Sequence, residues 1–320
     1  MFFEGSEKKA EIMVDINKIN LLTDIDNTFW SDLVTYCNAQ VLTTIENQYC
    51  KAFVLSESSL FVWPERFLII TCGETSLVNS IEFFLSRHSK SVIEHLIYQR
   101  KNEYFANAQP SCFGDDIKII SKFVKGKAYR FGELDRHHNY IFHQQNEYKA
   151  DRNDKTFQFL VYQISLEASK HLTQNNLSRE NIKAYLCLDT LLSDFIIDDY
   201  LFQPYGYSLN AINGKDYLTI HITPQASSSY ISFESSINIM HIAPKIIEIL
   251  QPASFDVLSF NEEDFEIQLD QFIPKKYIGN SLIKQTLDNN YLIHFANFIR
   301  PQQQFTSAIE LDIDGENHTL

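Results

Sequence analysis

The chain is expected to be α+β in class, built from antiparallel sheets with helices packed outside them. Three features predict this. Short strand-like runs dominate the 320 residues, helical candidates fall between them rather than in one block, and the two halves look related. The 25 Phe and 16 Tyr suit strands more than helical bundles, because aromatic rings fit a pleated, half-buried surface. The length allows two ordinary domains or one large α/β body with a substantial core.

In chain order, the strand-like runs of the first half are "AEIMVDI" (10–16), "KAFVLS" (51–56), "SLFVW" (59–63), "RFLIITC" (66–72), "VIEHLIYQ" (92–99), "KAYRFGEL" (127–134) and "NYIFHQ" (139–144). Those of the second half are "TFQFLVYQISL" (156–166), "YLTIHITP" (217–224), "SYISFES" (229–235) and "YLIHFANFI" (291–299). Helical candidates are Asn27–Asn38, Ser76–Ser86, Asp115–Val124 and "IAPKIIEILQ" (242–251), the last ended by Gln251-Pro252. The polar stretch "NEYKADRNDKT" (146–156) suits a crossover between halves of about 1–150 and 151–300. "ERFLIITCG" (65–73) and "KDYLTIHIT" (215–223) are both turn-then-strand units, one ending at Cys72 and the other at His221, which points to an internal duplication. Residues 301–320 read as a flexible tail.

Composition removes several classes of function. Lys plus Arg is 27 against 41 for Asp plus Glu, a net charge of −14, which repels phosphate backbones and excludes nucleic acid as the expected partner. The charge would suit a cationic ligand or solubility alone. Five cysteines (Cys37, Cys50, Cys72, Cys112, Cys187) show no zinc spacing and no disulfide framework, so neither a metal nor an oxidising compartment is expected. "MFFEGSEKKAEIMVD" has no basic region leading into an apolar one, and no apolar run approaches the ~18 residues that cross a bilayer. A soluble, cytoplasmic protein without a membrane partner is expected.

The run "AFVLSESSLFVW" (52–63) carries the chemistry. Four polar residues, Ser56-Glu57-Ser58-Ser59, break what otherwise reads as a buried hairpin, with no glycine or proline to mark a turn. A polar turn is one reading. The other is chemistry on the backbone: a serine in strained main chain can attack its own preceding carbonyl and convert the amide to an ester. Removal of the Cα proton then splits the chain, and the dehydroalanine left behind hydrolyses to a pyruvoyl ketone.

"FFEGSEK" (2–8), "LSESSLFV" (55–62), "TCG" (71–73), "YQRKN" (98–102), "PYGYSLN" (204–210), "TIHITP" (219–224) and "YISFES" (230–235) occur in one order. Together they resemble the eukaryotic-type S-adenosylmethionine decarboxylases, self-cleaving pyruvoyl enzymes of spermidine and spermine synthesis. The resemblance runs from Phe2 to about Arg300 and implies a single domain over 1–300, a four-layer α/β/β/α sandwich. It implies cleavage between Glu57 and Ser58, giving chains 1–57 and 58–320 that stay associated, singly or as a homodimer, with Ser58 the source of the pyruvoyl group. It makes His221 the base that removes the Ser58 Cα proton, Ser208 the partner of the ester, and Cys72 the donor that protonates the product carbon after imine-assisted decarboxylation. Without that context His221 in "TIHIT" reads as a core histidine, and Ser208 as an ordinary strand serine.

For the substrate, the resemblance implies that Phe3 and Phe202 sandwich the adenine and that Leu55 and the Glu57 backbone line the pocket. Glu4 and Glu7 match acidic positions beside the active centre, Glu7 being the better candidate for processing or substrate placement. Three departures from the family pattern stand out. Gln225 replaces a glutamate expected to grip the ribose, Ile70 replaces a lysine two residues before the cysteine, and Gln99 replaces a serine. The last two belong to a buried charged network that surrounds activating putrescine in animal enzymes. Glu11, Asp154, Thr156 and Glu234 remain of it, Gln158 stands where an acid is expected, and Arg100 is a candidate neighbour to neutralise the acids. The alternatives are a pyruvoyl decarboxylase of ornithine or arginine, suggested by Gln225, and a catalytically silent regulatory paralogue.

Overall fold

The computed structural model describes residues 7–224, 229–302, 305 and 308. The first half contributes β1 (Lys8–Val14), β2 (Val41–Glu46), β3 (Lys51–Leu55), β4 (Ser58–Val62), β5 (Arg66–Thr71), β6 (Ile93–Lys101), β7 (Gly126–Phe131) and β8 (Asn139–Gln144). The second contributes β9 (Thr156–Tyr162), β10 (Ile196–Leu201), β11 (Tyr207–Asn213), β12 (Asp216–Thr223), β13 (Tyr230–Ser235), β14 (Ser254–Phe260), β15 (Ile278–Thr286) and β16 (Leu292–Ile299). They form two antiparallel eight-stranded sheets, ordered β2-β3-β4-β5-β1-β6-β8-β7 and β10-β11-β12-β13-β9-β14-β16-β15. Adding eight to each strand of the first order gives the second, so the halves are duplicates in topology. The same relation corrects one expectation. The strand leading to Cys72 is β5, whose counterpart is β13, whereas His221 lies on β12, the counterpart of β4.

Alternation along each strand builds the layers. In β1, Ala10, Ile12 and Val14 join Trp30, Leu33 and Phe84 in the core beneath the helices of the first half. Lys9, Glu11 and Met13 point the other way, into the space between the sheets, where Met13 packs with Ile97, Leu160, Leu258 and Phe295. Because β1 lies between β5 and β6, every residue from Lys8 to Val14 is buried, so its charged residues are not a solvated strand face.

Helices α1 (Asn27–Tyr36), α2 (Leu77–Arg87) and α3 (Phe113–Ile120) belong to the first half. Asp26 caps α1 by accepting a hydrogen bond from the Phe29 amide, satisfying one of its free N–H groups. In the second half, α4 (Leu166–Leu172), α5 (Arg179–Tyr185), α6 (Leu188–Leu191), α7 (Ala243–Leu250) and α8 (Phe265–Phe272) all give side chains to a matching core on that sheet. The expected helices are present with shifted ends, α3 starting at Phe113 and stopping at Ile120.

Candidate active site

A two-residue turn, Ser56-Glu57, joins β3 to β4, with Leu55 and Ser58 as register partners. Such turns favour glycine because their backbone needs positive φ, and this one has none. The strain falls on Ser58, whose φ is +146°. The other six described non-glycine residues with positive φ lie between 44° and 69°, the ordinary left-handed region. Backbone held this way costs about 1–3 kcal/mol and persists only where its surroundings impose it.

The surroundings are visible at the carbonyl before Ser58. The Cys72 amide donates to Glu57 O at 2.9 Å, and the Cys72 thiol donates to the same oxygen at 3.1 Å. Two donors on one carbonyl polarise it and would hold the charge that develops there during nucleophilic attack.

Across the inter-sheet space, Ser58 Oγ lies 3.1 Å from His221 Nε2, and Ser208 Oγ lies 3.0 Å from His221 Nδ1. Ser208 and His221 face each other in the β11–β12 register, which fixes their contact. Ser59 and Thr219 complete the ring of hydroxyls around Nε2, at 3.3 and 3.0 Å. Burial pushes His221 down to about 3, so the imidazole is neutral at physiological pH and can accept a proton.

Burial pushes the Cys72 thiol well up, with Glu57 and Glu7 adding to the effect, so it keeps its proton and can donate it. Burial raises Glu7 to about 8 against the hydrogen bond it accepts from Ser232, and raises Glu57 to about 7 against the pull of Lys8. Lys8 was not singled out from the sequence. Its Nζ donates to Gly73 O at 2.9 Å and to Gln109 Oε1 at 2.7 Å, beside Cys72, and burial lowers it to about 8. Leu55 is buried next to Ser58. Phe202 is half-buried at the start of the turn that leads to Ser208, where its amide donates to Gly206 O at 2.8 Å. Gly206 has φ +127°, and a Cβ there would lie 3.3 Å from Phe202 Cβ, so glycine suits the turn. Phe3, Glu4 and Gln225 lie outside the described residues. A cavity of about 660 Å³ against α8, β15 and β16, lined in part by Phe265, Leu282 and Phe298, includes none of this cluster.

Behind the site, a charged network runs between the sheets. Arg66 bridges Glu11 at 3.0 Å and Asp154 at 2.6 Å, and Tyr291 donates to Asp154 at 3.0 Å. Glu234 accepts from Lys9, Tyr217 and Gln158, each at 2.8 Å, and Gln99 donates to Gln158 at 2.8 Å. Thr156 shares the inward face of β9 with Gln158. The cation at the acids is therefore Arg66 rather than Arg100, which instead pairs with Glu103 and Asp116. Lys9 is the direct register partner of Ile70, so the positive charge expected at 70 comes from the neighbouring strand.

Residues 1–299 match the family model described as adenosylmethionine decarboxylase. S-adenosylmethionine decarboxylase proenzymes from Leishmania donovani and Drosophila melanogaster are 30% and 32% identical to the chain, each over 81% of it and over 73% and 82% of their own lengths. The Dictyostelium discoideum proenzyme is 28% identical over 92% of this chain and 85% of its own. The crystal structure of a Trypanosoma brucei AdoMetDC-delta26 monomer superposes with a TM-score of 0.58 over 76% of this chain and 99% of that one, at 19% identity, a likeness of fold. With the family model spanning both sheets, the chain belongs to the adenosylmethionine decarboxylase family.

Proposed function

We propose that the chain cuts itself between Glu57 and Ser58, and that Cys72, Ser208 and His221 serve the cut and the decarboxylation that follows. The enzyme is a pyruvoyl-dependent S-adenosylmethionine decarboxylase, and its product is the aminopropyl donor for spermidine and spermine. One observation carries the reading of the site: a strained Ser58 has its hydroxyl 3.1 Å from a neutral imidazole, while the carbonyl it would attack accepts two hydrogen bonds from Cys72.

Ser58 Oγ adds to the Glu57 carbonyl carbon, the C–N bond breaks, and the hydroxyl proton passes to the released amine, leaving an ester. Relief of the backbone strain favours this step. His221 then removes the Ser58 Cα proton, the Cβ–Oγ bond breaks, and Glu57 leaves as the carboxylate that ends the shorter chain. Water converts the remaining dehydroalanine to the ketone with loss of ammonia. When formed, the pyruvoyl group supplies the electron sink for loss of CO₂ from the substrate. The protonated Cys72 thiol delivers a proton to the product carbon. Leu55, the Glu57 backbone and Phe202 bound the substrate, and Glu7 stands beside the reacting centre; Phe3, Glu4 and Gln225 are assigned with them by the resemblance alone.

The two fragments stay together because β1 of the short chain is paired on both sides by β5 and β6 of the long one. Arg66 and Lys9 occupy the acidic network, so we infer that it is complete without a diamine. The five cysteines are free, which supports a cytoplasmic setting, and no helix among the described residues is long and apolar enough to cross a membrane. The names of the relatives do not favour another amino acid as substrate, and Ser58 beside His221 speaks against a silent paralogue.

The test is intact mass under denaturing conditions, then incubation with carboxyl-labelled S-adenosylmethionine, ornithine and arginine. Two fragments meeting at 57/58 and labelled CO₂ from S-adenosylmethionine are expected. An unbroken chain would overturn the processing assignment, and CO₂ from ornithine or arginine alone would overturn the substrate.

A further inference from the structure

Three hydroxyl oxygens crowd one nitrogen: Ser58, Ser59 and Thr219 lie 3.1, 3.3 and 3.0 Å from His221 Nε2. A neutral imidazole either donates or accepts at that nitrogen, and the hydrogen bonds around it decide which. The deciding group is Asn210, fully buried on β11. Its Oδ1 accepts from Ser59 at 2.6 Å and from Thr219 at 2.9 Å, while its Nδ2 has no partner among the described residues.

With the amide oxygen inward, both hydroxyl protons are committed to Asn210. Ser59 and Thr219 then offer Nε2 only lone pairs, and in the ester the acylated Ser58 Oγ has no proton to give, so Nε2 carries the proton and the basic nitrogen, Nδ1, takes the hydroxyl proton of Ser208. Such a histidine cannot deprotonate anything at Ser58. Turning the amide over reverses every bond. Nδ2 donates to both hydroxyls, their protons swing toward His221, Nε2 becomes the lone-pair nitrogen, and Nδ1–H donates to Ser208. Each arrangement leaves one end of the amide unpaired, the NH₂ group in the first and the carbonyl in the second, so neither is locked by full satisfaction of its hydrogen bonds.

We propose that Asn210 is a positioning residue that sets the tautomer of His221, and that its amide oxygen must turn away from Ser59 and Thr219 before Nε2 can remove the Ser58 Cα proton. This rests on the self-cleavage reading above and adds the condition under which the base becomes competent. It gives Asn210 control of the elimination step, not of the initial acyl shift.

The test compares Asn210→Asp, an acceptor at both oxygens, with Asn210→Leu, of similar size and without hydrogen bonds. Splitting is followed by denaturing mass against the otherwise unaltered full chain. N210D is expected to split at least ~100-fold more slowly, the low end of a general base's contribution, and to accumulate an ester that hydroxylamine cuts at 57/58. N210L, which frees both hydroxyl protons, is expected to stay within about 10-fold of the parent, since only the proton-directing bonds are lost. A purely structural role would slow the acyl shift as well, so N210D would then split slowly without accumulating an ester. N210D splitting as fast as N210L would overturn the proposal while leaving cleavage intact, whereas an unaltered chain that never splits would overturn the cleavage reading itself. A second measurement needs no Asn210 variant. In the uncut Ser58→Ala chain, imidazole ¹⁵N shifts of His221 should show lone-pair character at Nε2 in at least part of the population, and a proton confined to Nε2 would overturn the proposal.

Discussion

Replacing Lys9 by leucine tests the charge arrangement between the sheets. The Lys9–Glu234 pair is 2.8 Å long, with side chains 8% and 5% exposed. Removing the lysine leaves a buried carboxylate with only Tyr217 and Gln158 as donors among the described residues. Breaking a buried pair from one side costs about 3–5 kcal/mol, which corresponds to a fall in melting temperature of roughly 4–8 °C for a chain of 320 residues. Two double variants separate charge from packing. Lys9→Leu with Glu234→Gln removes both charges and should recover more than half of the loss, as neutral replacements of buried pairs often do. Lys9→Leu with Ile70→Lys moves the ammonium to the adjacent strand. Residues 9 and 70 are register partners, so their Cβ atoms start about 4.5–5.5 Å apart on the same face, and the lysine at 70 should reach Glu234. Thermal melts at pH 7 on the Ser58→Ala background keep processing out of the comparison. A K9L chain melting with its parent, or a K9L/I70K chain no more stable than K9L, would refute the reasoning.

Cys72→Ala keeps the backbone donor to Glu57 O and should still split, while turnover of the processed enzyme falls about 10²–10⁴-fold, the contribution of a general acid; single-turnover CO₂ release measures it. Glu7 is raised from 4.5 to about 8, so between those values the folded chain holds a proton that the unfolded chain has lost. Its contribution to stability is therefore full below pH 4.5 and lost as pH rises toward 8. Glu7→Gln should flatten that part of the stability profile in denaturant titrations, and an unchanged slope would count against a protonated Glu7. Putrescine should leave turnover unchanged, because Arg66 and Lys9 already neutralise the acids it would meet; saturable stimulation in a steady-state assay would show that the network is incomplete.

Strands with continuous apolar runs, such as β3, β5 and β9, were legible because burial on both faces leaves an unmistakable local pattern. The missed strands carry polar residues inward. In β11, "YSLNAIN", the side chains that spoil the pattern are Ser208 and Asn210, which belong to the site itself. In β14, "SFDVLSF", Asp256 is buried against Tyr162 and Asn297. In β10, "IIDDYL", Asp199 accepts from Tyr207 and pairs with Lys183. At β15 the sheet edge allows exposed polar positions, and β2 alternates too weakly to stand out. Helices α5 and α6 are seven and four residues long, too short for a 3.6-residue period to show.

The site divides along the same line. Ser58, Cys72, Ser208 and His221 came from blocks of familiar sequence, and the structure brings Ser58 and Ser208 to His221 and Cys72 to the Glu57 carbonyl. Lys9 and Arg66 were illegible as partners of the network, because the contact of Lys9 with Glu234 spans 225 positions and depends on how two sheets face each other. No local pattern reports that.

Duplication explains why the chemistry sits at one corner of the sandwich. Strands β4 and β12 are counterparts in the two halves, yet Ser58 at the start of β4 touches His221 near the end of β12. Counterpart strands that meet start-to-end must run in opposite directions across the inter-sheet space, so the same two strands meet again at their other ends. There, Tyr217 at the start of β12 packs on Phe61 and Trp63 at 5.0 and 5.4 Å, and Trp63 Nε1 donates to Lys215 O at 2.9 Å. One corner holds hydroxyls and an imidazole around a strained main chain, and its counterpart holds packed rings. Strain at Ser58 needs a rigid frame, since a turn free to relax would simply lose the unfavourable φ. The aromatic corner supplies part of that frame by pinning the far end of β4 to β12. The proposed cut at 57/58 would leave this corner wholly within the longer fragment, so the sheets would keep their spacing with the new chain end beside His221.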